Sequence, residues 1–275
     1  MTKQYIRPST LLEAIQLAQQ PDTIAIAGGA MAFQGFDLPY ETVIDLQAIP
    51  ELTHIEEYDN AIEFGGACTL QQILDTPDVP MALKQALSRT VPRNIRNNTS
   101  IGESLQVDNP PSEWLAGLTV LDIGIRFAGE EAIYPLIELL EDDELQGGII
   151  SAVFIPKLEE GEALGSAYVS RTPSDEAIVN VAVFIRVEED GVVETAFAAF
   201  CGASDEVVSI IHLENLEEHQ FNQDAIEQTV KPIPSLLNPE DDYQGSAAYR
   251  REMAKVCLQR ALEDALEQIK LNNGE

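Results

Sequence analysis

Two glycine-containing segments constrain what this sequence can fold into more than any other feature. The first, residues 27–30, reads Ala-Gly-Gly-Ala and follows the short apolar run at residues 23–26. The second, residues 99–102, reads Thr-Ser-Ile-Gly and follows a basic cluster of Arg89, Arg93 and Arg96. A strand that ends in paired glycines brings backbone N–H groups close to an anion, because no Cβ atom stands in the way. The two segments therefore predict loops that hold one pyrophosphate group from both sides, as in a dinucleotide site.

The side chains around the second segment add candidate ligand contacts. Thr99 and Ser100 carry hydroxyl groups that can donate to phosphate oxygens, and Glu113 can accept from ribose hydroxyls. The spacing of the glycines is neither Gly-x-Gly-x-x-Gly nor Gly-x-x-x-x-Gly-Lys, so the Rossmann fingerprint and the P-loop are both absent from the sequence. Glu103 follows Gly102 at a point where a second glycine would suit a phosphate better.

The acidic composition limits the classes of partner. The formal net charge is −31, which argues against nucleic acid and against an anionic membrane surface, since both are bound through clustered Lys and Arg. Two explanations of the charge stay open: solubility, for example in a saline habitat, or acidic faces that pair with basic subunits of an assembly. The first residues contain no apolar segment, and no stretch is apolar enough to span a membrane. We therefore expect a cytoplasmic protein.

Cysteine and histidine residues give no metal-binding pattern. Cys68, Cys201 and Cys257 lie far apart in apolar surroundings and form no Cys-x-x-Cys pair, so they predict buried, reduced packing residues. The three histidines have no partner at a metal-ligand spacing. We expect this chain to contain no iron–sulfur cluster, zinc finger or other metal site, and no Cys-His nucleophile.

The hydrophobic pattern predicts small α/β units followed by an antiparallel sheet. In the first half it predicts a helix at residues 10–19 with Thr10 as N-cap, strands at 24–27 and 43–46, a hairpin at 54–65, helices at 69–74 and 81–88, a polar loop at 93–98, and strands at 121–127 and 148–155. In the second half it predicts strands at 177–187 and 192–200 joined at Asp190-Gly191, then a helix at 246–271. The fold class is α+β.

Several of these segments resemble one known family. Residues 5–14, 27–29, 43–52, 95–102, 171–177 and 248–262 are similar, in order and at the right separations, to the FAD-binding (medium) subunit of the molybdenum hydroxylases of the xanthine dehydrogenase and carbon monoxide dehydrogenase type. The resemblance implies a two-lobed FAD-binding domain of the PCMH/VAO type at residues 1–158, with lobes at about 1–53 and 54–158. It also implies a C-terminal α+β domain of the carbon monoxide dehydrogenase flavoprotein type at residues 159–275.

The resemblance further implies a role in electron transfer. FAD would receive electrons from the [2Fe–2S] clusters of a partner subunit and pass them to an acceptor such as NAD or a quinone, while a molybdopterin-containing large subunit carries out the substrate chemistry. The expected cofactor-binding residues are those of the two segments together with Glu113 and Arg171: Ala27, Gly28, Gly29, Ala30, Met31, Thr99, Ser100, Ile101, Gly102, Glu113 and Arg171.

Departures from the family pattern leave two interpretations open. Ala30 and Met31 stand where the family usually has a hydroxyl or small polar residue, and Glu103 stands where it usually has glycine. A carboxylate beside pyrophosphate brings a repulsion of about 1–4 kcal/mol at ~4 Å. Either FAD binds with Glu103 turned outward, or the site has degenerated and the chain is a flavin-free structural subunit. A stand-alone small-molecule binder is a more distant alternative.

Overall fold

The structure is a computed structural model that describes residues 4–31, 40–107, 110, 112–141, 145, 148–173 and 175–272. Its strands, β1 to β12, are Gln4–Ile6, Thr23–Ile26, Thr42–Asp45, Ile55–Glu57, Ala61–Gly65, Gly124–Phe127, Tyr134–Pro135, Ile150–Pro156, Glu162–Val169, Val179–Val187, Val193–Cys201 and Ser209–His212. Its helices, α1 to α10, are Leu11–Ala18, Leu70–Asp75, Met81–Thr90, Arg93–Arg96, Ile101–Gln106, Ser112–Val120, Leu136–Glu141, Gln223–Val230, Ile233–Leu236 and Ala247–Asn272. Helices and largely antiparallel sheets confirm the predicted α+β class.

The chain divides into two compact units that are not continuous in sequence. The first unit contains Met1–Val79, Val91–Pro110 and Asp122–Lys157, and the second contains Pro80–Thr90, Pro111–Leu121 and Leu158–Glu275. Helices α3 and α6 thus belong to the second unit, although they precede most of it in the chain. The domain boundary predicted at residues 158 and 159 stays a prediction.

The first unit contains two sheets. A parallel sheet has the strand order β1-β3-β2, and an antiparallel sheet has the order β4-β5-β8-β6-β7. The Thr10 hydroxyl accepts from the Glu13 amide at 3.2 Å and so begins α1, as predicted. Apolar residues of α1, of β3 and the turns after it, and of three positions next to β2, β5 and β8 form one core: Ala14, Ala27, Ile44, Leu46, Ile49, Leu52, Ala67 and Ile149.

Two local predictions for the first unit were wrong. Residues 93–98 contain the short helix α4 rather than only a polar loop, and the second glycine segment leads directly into helix α5. Ser100 is the N-cap of α5, and its hydroxyl accepts from the Glu103 amide at 3.1 Å. Gly102 and Glu103 therefore lie in the first turn of a helix, where the polar pattern of the sequence had suggested irregular chain.

The second unit is built around one antiparallel sheet. Its strand order is β12-β11-β10-β9, and the predicted hairpin between β10 and β11 turns at Gly191, whose φ of +81° suits glycine. The predicted C-terminal helix is α10, and its buried face includes Ala254, Cys257 and Leu258. These side chains belong to the same core as the buried residues of β10 and β11, so the sheet and the helix form one packed layer pair.

Candidate functional site

The first glycine segment forms a tight turn after β2. Gly28 and Gly29 have φ values of +111° and +80°, both in the left-handed region that favours glycine. A Cβ atom on Gly28 would lie 2.2 Å from the backbone oxygen of Asn98. The paired glycines therefore allow another group to approach the backbone of this turn closely. In this structure that group is the backbone of Asn98, just before Thr99.

The second glycine segment uses its amides within the first unit. The Ile101 amide donates to the Cys68 carbonyl at 2.8 Å, and the Gly102 amide donates to the Gly66 carbonyl at 3.0 Å. The Ala30 amide of the first segment donates to the Asn98 carbonyl at 3.0 Å. The structure thus brings the two predicted segments together, as expected, and joins them by a direct backbone hydrogen bond.

Glu103 completes the junction between the two segments. Its carboxylate accepts from the Gly29 amide at Oε2 and from the Met31 amide at Oε1, both at 2.8 Å. The residue is buried, with 8% of its surface exposed. We call the amides of Gly29 and Met31 the anion cradle, because two N–H groups of one turn converge on the two oxygens of one anion. Of the two interpretations that the sequence leaves open, the one with FAD bound places Glu103 outward; in this structure the side chain turns inward, since the amides offer it charge-assisted hydrogen bonds.

Two buried hydroxyl groups lie next to this junction in sequence. The Ser100 hydroxyl caps α5, while Thr99 is fully buried and its hydroxyl has no hydrogen-bond partner among the residues that the structure describes. A buried hydroxyl without a partner is uncommon in folded proteins. The cradle and the hydroxyls therefore have the chemistry that a pyrophosphate needs, but the cradle holds the protein's own carboxylate.

The predicted ribose ligand Glu113 belongs to the second unit and has another partner. Arg89 Nε donates to Glu113 Oε2 at 2.7 Å, and the side chains are only 15% and 10% exposed. The guanidinium also lies 3.7 Å from the centre of the Tyr168 ring. Burial lowers the pKa of Arg89 from its ordinary value. The Arg89–Glu113 pair is therefore a buried structural contact of the second unit.

Two further arginines of the sequence prediction, Arg171 and Arg96, are also paired. Arg171, in the second unit, is 58% exposed at its side chain and lies 3.7 Å from the Asp175 carboxylate. In the first unit, Arg96 donates to Gln71 Oε1 at 3.0 Å and to the Val91 carbonyl. Both arginines contact protein groups in the structure. The anion-binding groups that the glycine segments themselves supply are backbone amides.

The sequence identified the two glycine segments but not the residues that contact the predicted site residues. Asn98, whose carbonyl joins the two loops, directly precedes the motif and carries no chemical signal of its own. Arg89 was recognised only as part of a basic cluster, not as the partner of Glu113. The inward position of Glu103 had one signal, an acidic residue in a first helical turn preceded by Ser100, which is typical of a capped helix start.

The cysteine prediction is confirmed. Cys68, Cys201 and Cys257 are free and buried, and burial raises the pKa of their thiols to about 11, about 12 and about 11. Among the described residues, His, Cys, Asp and Glu side chains form no group that could hold a metal ion. No helix among these described residues has the length and apolarity that crossing a membrane requires.

Two family models match the chain in sequence order. Residues 1–158 match the FAD binding domain in molybdopterin dehydrogenase, and residues 167–265 match the CO dehydrogenase flavoprotein C-terminal domain.

Similar proteins match over nearly the whole chain. The glyceraldehyde dehydrogenase medium chain of Sulfolobus acidocaldarius is 24% identical, covering 94% of this chain and 97% of its own. The nicotine 6-hydroxylase medium subunit of Paenarthrobacter nicotinovorans is 25% identical, covering 95% and 96%. A solved structure of carbon monoxide dehydrogenase from Hydrogenophaga pseudoflava has a TM-score of 0.80 at 20% identity, covering 98% of both chains. At that identity the structural match shows the shared fold.

Proposed function

Because the chain belongs to the family of FAD-binding domains in molybdopterin dehydrogenases, we propose that it is the medium subunit of a cytoplasmic molybdenum hydroxylase-type complex, with FAD as the ligand of its first unit. The observation that carries the proposal is the order and extent of the matches. Both family models fall on one chain, and relatives named as medium chain or medium subunit match over almost their full length. An isolated nucleotide-binding fold would not carry the second model.

The proposed role is electron transfer between partner subunits. An iron–sulfur subunit delivers electrons, a molybdopterin-containing large subunit performs the substrate chemistry, and NAD or a quinone is the acceptor. FAD, when bound, supplies the redox chemistry that no described side chain offers. The residues of this chain then have binding and positioning roles.

The residues that would hold FAD are backbone groups of the glycine segments. The amides of Gly29 and Met31 suit a pyrophosphate oxygen, and Thr99 and Ser100 add buried hydroxyl groups. These amides are donors of the kind that a pyrophosphate needs. In this structure, however, they already donate to Glu103. FAD and the Glu103 carboxylate both require the same cradle.

This overlap favours a second candidate function, a flavin-free subunit that keeps the family's fold and its place in the complex. A carboxylate that holds both amides at 2.8 Å replaces the stabilising contacts that a bound phosphate would give the turn. The fold would then persist without its ligand, and the chain would contribute surfaces for assembly.

Purification of the complex from its native host tests both functions. We expect the chain to co-purify with an iron–sulfur and a molybdenum subunit, with flavin absorbance and with FAD in the acid extract. A complex that contains iron and molybdenum but no flavin would support the structural subunit instead. Recovery of a free, colourless chain that binds neither partner would contradict both functions.

A further inference from the structure

We infer that Glu103 is a tethered internal competitor for the anion cradle, so that a diphosphate-containing ligand binds only when this carboxylate leaves the Gly29 and Met31 amides. The inference deepens the proposed function, on which its choice of dinucleotide ligand rests. The cradle itself is an observation of this structure. Its ligand class is a diphosphate, free or as part of a dinucleotide.

The contacts of the carboxylate are those of a bound anion. Each of its two oxygens accepts one amide hydrogen at 2.8 Å, and the left-handed φ of Gly29 helps to turn the two N–H groups toward one point. Hydrogen bonds to a charged acceptor are about twice as strong as neutral ones. The turn is thus built to bind an anion, and the anion bound to it is part of the same chain.

The tether keeps the carboxylate in place. Glu103 lies in the first turn of α5, which is fixed by the Ser100 cap and by the bond from the Gly102 amide to the Gly66 carbonyl. An intramolecular group in a fixed position acts at a high effective concentration, so a free ligand competes poorly with it. The apparent affinity of the ligand falls in proportion to the fraction of molecules in which the cradle is open.

Electrostatics act in the same direction. A phosphate that entered while Glu103 stayed near the cradle would meet a carboxylate in a buried site, where like charges repel more strongly than in water. The net charge of −31 adds a long-range field that opposes anionic ligands. Displacement of the side chain removes the competition and the local repulsion together.

Calorimetric titration of the full-length chain with inorganic pyrophosphate, ADP and FAD tests the inference. The variants are Glu103→Gln and Glu103→Ala, and the matched control is Glu131→Gln, which removes the same charge from an exposed residue of the first unit. We expect both Glu103 variants to bind ADP and pyrophosphate about tenfold or more tightly than the wild type. The Glu131→Gln control should match the wild type, apart from the small effect of one remote charge.

Hydrogen exchange provides a second readout that needs no ligand. In the wild type, the Gly29 and Met31 amides should be protected in the absence of ligand, and Glu103→Ala should remove that protection at these two positions while the rest of the first unit stays protected. Wild-type amides that exchange as fast as those of the variant would overturn the inference even if one variant folds poorly.

The outcomes separate this inference from the proposed function. Equal ligand affinities of the wild type and both Glu103 variants would overturn it, while FAD binding by all three would leave the proposed function intact. Variants that gain pyrophosphate and ADP binding but not FAD binding would support the competitor and contradict FAD as the ligand. No binding by any protein would contradict both.

Discussion

Two buried glutamates in the two units hold their charge in different ways. Glu103, in the first unit, is held by the Gly29 and Met31 amides. Glu113, in the second unit, is held by the guanidinium of Arg89. Both carboxylates are nearly inaccessible to solvent, so each needs strong partners to remain ionised.

The difference teaches what kind of partner each site can accept. Backbone amides carry partial charges and bind any anion of suitable shape, including a ligand. A guanidinium carries a full charge that must itself stay paired when buried. The cradle around Glu103 can therefore exchange one anion for another, whereas the Arg89–Glu113 pair behaves as a fixed part of the fold.

The largest expected change in stability comes from breaking the Arg89–Glu113 pair of the second unit. Glu113→Gln leaves the Arg89 guanidinium buried without its counter-charge, and we expect a loss of about 4 kcal/mol in the free energy of unfolding. The sole tryptophan, Trp114, is fully buried in the second unit, so its fluorescence during urea unfolding measures this loss. The double variant Arg89→Met with Glu113→Leu should lose much less, because it buries no unpaired charge. A small loss for Glu113→Gln alone would remove the contrast between the two glutamates.

The next effect concerns the backbone of the cradle. Gly28→Ala places a Cβ atom 2.2 Å from the Asn98 oxygen in a residue with positive φ, and we expect a loss of about 3 kcal/mol. Gly129→Ala is the matched control, since its φ is +90° but the neighbouring side-chain atom Ile15 Cδ1 lies 3.7 Å from the added atom. The control should lose only about 1 kcal/mol. Circular dichroism during chemical unfolding measures both, and equal losses would mean that close loop contact is not what requires Gly28.

A smaller loss is expected at Glu103 itself. Glu103→Gln keeps the shape of the side chain but removes its charge and one acceptor, so we expect a loss of about 1–2 kcal/mol. Glu131→Gln should change the free energy of unfolding by less than about 0.5 kcal/mol. Because no buried cation is left unpaired at the cradle amides, the Glu103 loss should stay below that of Glu113→Gln. The reverse order would break the comparison.

The smallest expected effect tests how the stabilisation from an arginine–carboxylate pair depends on its burial. Arg250 Nη2 donates to Asp242 Oδ2 at 2.6 Å, but the Asp242 side chain is 42% exposed. The hydrogen bond from Arg250 lowers the pKa of Asp242 from 3.8 to about 2. The folded pKa lies below the unfolded one, so this stabilisation is present above pH ~4 and is lost as the pH falls toward ~2.

Because solvent screens this exposed pair, the variant Asp242→Asn should lose at most about 1 kcal/mol at neutral pH and less than that near pH 2. Trp114 fluorescence during urea unfolding at several pH values measures the difference from the wild type. A loss that does not depend on pH would show that the Asp242 charge contributes nothing to the pair.

Much of the fold was predictable because its signals are local. The hairpin at Asp190-Gly191, the Thr10 cap and the long apolar stripe of α10 each depend on residues a few positions apart. The short helices α4 and α6 were missed, since brief helices with polar or uniformly apolar sequences show no clear period. Each of them is held by its surroundings rather than by its own pattern.

The candidate site was only half predictable. The residue types of the two glycine segments predicted that the segments lie close together. The structure confirms this by the hydrogen bond from the Ala30 amide to the carbonyl of Asn98, which directly precedes the second segment. The direction of the Glu103 side chain stayed open in the sequence, between an outward position with FAD bound and a degenerate site. The sequence shows that a carboxylate at position 103 would repel a bound phosphate. It does not show that this carboxylate is attracted to backbone amides of a loop more than seventy positions away.

The sequence by itself determined that this chain has an α+β fold, that Gly28 and Gly29 form a close turn, and that it resembles one family along its length. Those properties follow from local sterics, hydrophobic period and motif order. Only the tertiary structure decided which anion the cradle holds and which cation neutralises Glu113. The physical reason is that electrostatic pairing depends on distance in space, and the partners of both glutamates, Gly29 and Met31 for Glu103 and Arg89 for Glu113, lie far from them along the chain.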